Sequence, residues 1–129
     1  MKREIKFRAY RKSTQNTCDV LSIDFENESV LLSDGDEEDI SDVDLMQYTG
    51  LHDKNGREVY EGDVVKLHQV VLSPDDTIGW VEYTAQYGYS IRFGKRRCRQ
   101  SDWATDEGAK YEVIGNIFEN PELLEAQHD

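Results

Sequence analysis

Cys98 lies between Arg97 and Arg99, with Arg96 close behind, and this is where the chain comes nearest to nucleophilic chemistry. Neighbouring guanidinium groups lower a thiol's pKa, and the thiolate is the attacking form. A nucleophile also needs a general base. The histidines are His52, His68 and His128, the last one residue from the chain end, where side chains are poorly held. His52 or His68 would have to reach Cys98 through the fold, and no hydrolase motif joins them. A plain small residue in a solvated basic loop is the stronger reading of Cys98, and no catalytic residue is assigned. Carboxylates decide nothing, because with 27 Asp and Glu some pairs approach by chance. Acid–base hydrolysis would need a cleft that raises one carboxyl pKa.

Metal chemistry has even less support. Cys18 and Cys98 are the only cysteines and stand outside any C-x-x-C pair, which excludes a zinc site and a disulfide scaffold. The acidic text "SDGDEEDISDVD" from Ser33 to Asp44 invites comparison with a calcium loop. Such a loop needs glycine at its sixth position, and placing Gly35 there makes Val30 the first ligand. The register fails, so neither a metal nor a cofactor is expected.

Two charge blocks suggest binding instead. Trp80, Tyr83, Tyr87, Tyr89 and Arg92 precede Lys95, Arg96, Arg97 and Arg99, the mixture of rings and cations on which single-stranded nucleic acids stack. Opposing this is a net charge of -12, which repels phosphate backbones at long range. At least half of those aromatics must also fill the core of so short a chain. The second block runs from Asp24 to Asp44, with ten acids and no basic residue. It reads first as a solubilising insertion. The sharper alternative is imitation of a nucleic-acid backbone to occupy a basic groove on another protein, at the density of one charge per ~1.7 Å that DNA presents.

Positioning these blocks falls to strands. Ile5, Phe7 and Ala9 alternate with Lys6, Arg8 and Tyr10, the period of a half-buried strand. In "DVLSIDFEN" the residues Leu21, Ile23 and Phe25 alternate with Val20, Ser22 and Asp24, and "SVLL" returns as the partner of a hairpin. Segment 33–44 is expected as an exposed acidic loop with a helical turn, since adjacent acids repel in a packed element. Gly50, Gly56 and Gly62 then follow at even spacing. Asp53-Lys54-Asn55-Gly56 is turn chemistry, in which Asp caps nearby backbone and Gly takes the left-handed conformation. Gly50 and Gly62 mark further bends. No phosphate-cradling pattern includes these glycines. Gly79, Val81 and Tyr83 alternate with Ile78, Trp80 and Glu82, and Tyr89, Ile91 and Phe93 run back after Gln86-Tyr87-Gly88, predicting an aromatic hairpin. Asn120 as cap and Pro121 as first residue predict a short helix over about 121–126.

The fold class expected is mainly β: a compact antiparallel SH3-like or bent barrel core over about 45–118, an N-terminal β-hairpin and a short C-terminal helix, in one domain spanning 1–129. No continuous apolar stretch suggests a signal peptide or membrane span, so a cytoplasmic protein without membrane contact is expected.

Three blocks, "REIKFRAY", "LMQYTGLHDKNGREVYEGDVVKL" and "YEVIGNIFENPELL", in this order resemble the YopX-like family of small phage and prophage proteins. The acidic run and the stretch 68–76 contribute nothing to the likeness. The resemblance implies a phage or prophage origin in a bacterial host, a β fold and self-association, and it brings no catalytic or ligand-binding residues. A non-enzymatic interaction module forming a homo-oligomer is the leading expectation. A host protein is a further expected partner, and nucleic acid is the less favoured one.

Overall fold

The computed structural model describes residues 4–67, 77–86, 88–93, 96–98 and 111–125. Eleven described strands form two antiparallel sheets, with one short helix. In chain order they are β1 (Phe7–Arg11), β2 (Asn16–Asp24), β3 (Ser29–Leu32), β4 (Glu37–Asp39), β5 (Val43–His52), β6 (Glu58–Tyr60), β7 (Asp63–Leu67), β8 (Thr77–Thr84), β9 (Gly88–Phe93), β10 (Arg96–Cys98) and β11 (Tyr111–Asn116). A 3-10 turn, Ile40–Asp42, separates β4 from β5, and helix α1 is Glu122–Glu125. The mainly β class and the short helix are as expected. Among the described residues the strand orders are β4-β3-β2-β1-β5-β6 and β10-β9-β8-β7-β11, and no closed barrel is formed by them. The chain divides into two compact units, Met1–Tyr48 and Thr49–Asp129, with the boundary inside β5.

In the first unit Ala9, Val30, Leu32 and Val43 are buried together, and Cys18, Val20, Ile23, Ile40 and Leu45 pack against them. β1 pairs with β2 and β5, placing Ala9 opposite both Cys18 and Leu45. The face expected of β2 is corrected. Val20 opposes Leu32 while Ser22 opposes Leu31, so Leu21 is one extra residue in β2, a bulge that switches the phase of the strand. Val20 and Ile23 therefore face the core and Leu21 is left 63% exposed, while Phe25, in the turn past the end of β2, is 82% exposed.

The segment 33–44 is also more ordered than a loop. Leu32 N–H donates to Asp36 O at 2.9 Å and Ile40 N–H to Glu28 O at 2.9 Å, closing β4 onto β3. A strand survives among so many acids because its inward charge is neutralised by a buried arginine, described below.

The second unit has its own core of Val59, Val65, Val81, Tyr89, Ile91 and Tyr111, with Leu51 and Val113 against it. Full burial of each such aliphatic side chain contributes about 1.5–3 kcal/mol. Val81 opposes Ile91 and Tyr83 opposes Tyr89, so the alternation read from the sequence sets the inward face of the β8–β9 hairpin. Gly88 turns that hairpin at φ 68.

Candidate interaction surfaces

The turn between β5 and β6 is organised by one carboxylate. Asp53 is buried, and its Oδ1 accepts the backbone N–H of Asn55 at 2.9 Å and of Arg57 at 2.8 Å. Its Oδ2 accepts Val113 N–H on β11 at 2.9 Å. Lys54 N–H donates to Tyr111 O, Arg57 Nη1 donates to Val113 O, and Asn55 Nδ2 donates to Glu112 Oε2. Gly56 takes φ 81 and donates its N–H to Asp53 O. The Asp53-Lys54-Asn55-Gly56 turn is thereby fastened to β11 through backbone groups that burial would otherwise leave unsatisfied.

The next bend works the same way. Asp63 is buried and its Oδ2 accepts Tyr60 N–H at 2.7 Å. Gly62, at φ 89, donates to Val81 O and accepts from Ile117 N–H. Gly50 stands at φ 86 within β5, where the hydroxyl of Thr49 donates to Val59 O at 2.7 Å. After β11, Asn116 Oδ1 accepts the N–H groups of Phe118 and Glu119. Asn120 had the sequence position of a helix cap, but its Oδ1 accepts Asn116 N–H at 3.2 Å. That reach brings Asn120 Oδ1 within 2.5 Å of where a Cβ on Gly115 would lie, so no larger residue fits at 115 without displacement. Asp63 escaped the sequence reading, although it stands beside Gly62, which marks a bend.

The aromatic and basic constellation is only partly gathered. Tyr83 is 56% exposed and tilts against Tyr89, with ring centroids 5.1 Å apart, while Tyr89 is 6% exposed and belongs to the core. Trp80 is half-buried and opposes Arg92 across the β8–β9 pair. Arg92 Nη1 lies 3.6 Å from Glu82 Oε1. Arg96 and Arg97 are on β10, where Arg97 opposes Arg92 in register. Tyr87, Lys95 and Arg99 lie outside the described residues, as do His68 and His128. Cys98 closes β10. Among the described residues no group of three or more His, Cys, Asp or Glu is placed to hold a metal ion. No described helix is long and apolar enough to cross a membrane.

Arg11 was missed, and it explains part of the acidic run. It is 4% exposed, its Nη1 is 3.0 Å from Asp34 Oδ2, and its Nη2 donates to Asp34 Oδ1 at 3.2 Å. Asp36 Oδ2 lies 3.4 Å from Nη1 and Glu38 Oε1 lies 3.5 Å from Nε. A two-pronged guanidinium–carboxylate pair is the strong form of such a contact. Asp34 is held below the ordinary carboxylate range, first by the Asp36 backbone N–H on its Oδ1 and then by Arg11. Cys18 has its thiol pKa raised, by burial first and next by the Asp34 charge. The signal for Arg11 was present in β1: it continues the phase of Phe7 and Ala9, and the segment from Asp24 to Asp44 has ten acids and no basic residue of its own.

On the reverse face of β2 and β3, Leu21 and Leu31 are exposed at 63% and 36%, and Phe25 stands out at the hairpin tip. Asp24 organises that tip, with its Oδ1 accepting Glu26 and Asn27 N–H groups and its Oδ2 accepting Asn27 Nδ2. Beside it an open groove of about 550 Å³ is lined by Phe25, Asn27, Glu28, Asp39, Ile40 and Ser41. Its lining joins an exposed ring and an isoleucine to two carboxylates.

Comparisons with known proteins agree with this fold. The crystal structure of protein EF1440 from Enterococcus faecalis is similar with a TM-score of 0.69 and 25% sequence identity, over 95% of this chain and 99% of that one. No curated protein matches the chain. A family model described as YopX protein matches residues 6–125, which takes in both compact units and all three of the sequence blocks from their first strand onward. The chain belongs to the YopX family.

Proposed function

We propose that the chain is a non-enzymatic protein-interaction module that associates with further copies of itself. The observation that carries this reading is the exposure of Leu21, Phe25 and Leu31 in a unit that also exposes Asp19, Asp24, Glu26, Glu28, Glu37 and Asp39. Exposed leucine and phenylalanine together in an acidic frame favour a cationic partner surface. The same chain carries the basic sequence run Lys95, Arg96, Arg97 and Arg99. Acidic and basic segments on one chain favour a heterologous contact, which closes into a ring when the rotation allows.

Support for the other readings is weaker. Of the described aromatics named for nucleic-acid stacking, Tyr89 is in the core and Trp80 is half-buried. As a mimic of nucleic acid, the acidic segment has Asp34, Asp36 and Glu38 already engaged with Arg11. A phage or prophage origin and a cytoplasmic site of action in a bacterial host belong to the same proposal, and gene neighbourhood tests the origin. Light scattering across a concentration and salt series tests the association. A mass above one chain that falls at high salt, and falls in Leu21→Asp with Phe25→Asp, supports the module. A single-chain mass at every concentration removes it.

A further inference from the structure

β4 ends its sheet, pairing with β3 alone among the described strands. Leu32 N–H bonds Asp36 O and Ile40 N–H bonds Glu28 O, each at 2.9 Å, and Val30 opposes Glu38 between them. Bonded pairs alternate with unbonded ones along an antiparallel ladder, so Glu38 turns its N–H and C=O to β3 and the peptide groups of Glu37 and Asp39 point away from it. Side chains alternate with the same period of two. Glu38 reaches Arg11, while the carboxylates of Glu37 and Asp39 stand together on the opposite face, both exposed. Among the described residues nothing is bonded to either carboxylate.

These groups define what fits. Outward N–H and C=O groups accept an extended backbone. Two carboxylates on alternate residues, about 6.5 Å apart along a strand, match cations on alternate residues of that backbone, whereas an acidic strand would set like charges opposite each other. Past Asp39 the edge opens onto the groove of Phe25, Glu28, Ile40 and Ser41, whose ring and isoleucine suit an apolar side chain. Lys12 Nζ donates to Ser41 O at 3.2 Å, so the groove is less negative than the strand beside it. Among the described side chains, the cations on this chain's own strands stand only where both edges are filled. Arg8 and Arg11 lie on β1 between β2 and β5, Lys66 on β7 between β8 and β11, and Arg92 on β9 between β8 and β10.

We propose that the open edge of β4 receives an extended segment of another protein in which lysine or arginine recurs at every second position. The segment runs antiparallel to β4, as β4 runs to β3, with its cations opposite Asp39 and Glu37 and a preceding apolar residue in the groove. This goes beyond the association of copies and does not need it. The ties of Asp34, Asp36 and Glu38 to Arg11 stay in place, because the segment uses the other two acids. β4 is three residues long, so charge carries a large share of the contact and salt weakens it.

Fluorescence anisotropy on the full chain tests it with a labelled peptide that begins with leucine and continues as threonine and lysine in alternation. The peptide binds at low salt and is released as salt is raised. Glu37→Gln with Asp39→Asn weakens binding about ten-fold, the scale of two exposed ion pairs, with an unchanged far-ultraviolet spectrum. Methylating the backbone nitrogens of the lysines keeps every charge but removes the donors to the Glu37 and Asp39 carbonyls, and it weakens binding about ten-fold or more. In a nitrogen–proton spectrum the Glu37 and Asp39 amides shift on binding and the Val113 amide does not. No binding up to about 1 mM peptide at low salt overturns the proposal, and so does a double variant that binds as tightly as the parent. A methylated peptide that binds undiminished overturns the strand pairing. A peptide that binds only by breaking up the parent's own assembly gives the edge to a second copy and overturns the proposal as well. Binding to a parent of single-chain mass supports the edge site while removing the self-association proposed above.

Discussion

Asp53 Oδ2 accepts the backbone N–H of Val113 at 2.9 Å, so one carboxylate joins a turn to a strand 60 positions later. The same side chain accepts two N–H groups of its own turn. Hydrogen bonds to a charged acceptor are worth about 1.5–3 kcal/mol each, less where water replaces the carboxylate. Asp53→Ala should therefore lower the unfolding free energy by about 2–4 kcal/mol, and Asp53→Asn by about half of that, since the amide keeps one acceptor oxygen. Urea titration measures both.

Gly115 and Asn120 are coupled by contact rather than by a bond. A methyl group at 115 would stand 2.5 Å from Asn120 Oδ1, and overpacking of this kind costs about 1–3 kcal/mol. Gly115→Ala should be destabilising by that amount in urea. In an Asn120→Ala background the same change should cost less than half as much, because the obstructing amide is gone. Equal costs in both backgrounds would contradict the packing described.

These two sites show what could be read from residue order. The Asp53-Lys54-Asn55-Gly56 turn was legible because its chemistry is local: an aspartate bonding nearby N–H groups and a glycine at positive φ. Its long-range bond to Val113 was not, since nothing in local spacing specifies a partner on β11. Strand period exposed the inward residues Val81 and Ile91. It misplaced Leu21, because one inserted residue in β2 puts Val20 rather than Leu21 on the face of Ile23, and Phe25, because that residue lies past the end of β2 at the hairpin tip. The acidic segment looked too repulsive to form a strand until Arg11, in phase with Ala9, supplied the buried counter-charge.

Acid should loosen the first unit through Asp34. Its folded pKa is lowered, chiefly by the Asp36 N–H and then by Arg11. A depressed carboxylate pKa contributes stability that is full above the ordinary value of 3.8 and is lost as pH falls through the lower folded value. Asp24 acts with the same sign, held down first by the Asn27 N–H. Thermal midpoints should drop as pH is taken from about 5 to about 2, and Asp34→Asn should flatten that dependence. A slope unchanged in Asp34→Asn would count against the Arg11 cluster.

Cys18 should be a slow nucleophile. Burial and the nearby Asp34 charge raise its pKa above the ordinary 9.0. In a Cys98→Ser protein, the pH profile of iodoacetamide alkylation should have its midpoint above that value and shift down in Asp34→Asn. A midpoint below it would mean that Arg11 outweighs both effects.

The most direct test of the claim that the turn residues of the YopX signature serve the fold is amide hydrogen exchange followed residue by residue. In the native chain the N–H groups of Val113 and Tyr60, bonded to Asp53 and Asp63, should fall among the slowest to exchange. In Asp53→Asn the Val113 amide should lose protection by roughly 30-fold more than a β2–β3 amide in the other unit. Val113 and Tyr60 exchanging at the rate of an open peptide in the native chain would contradict the account.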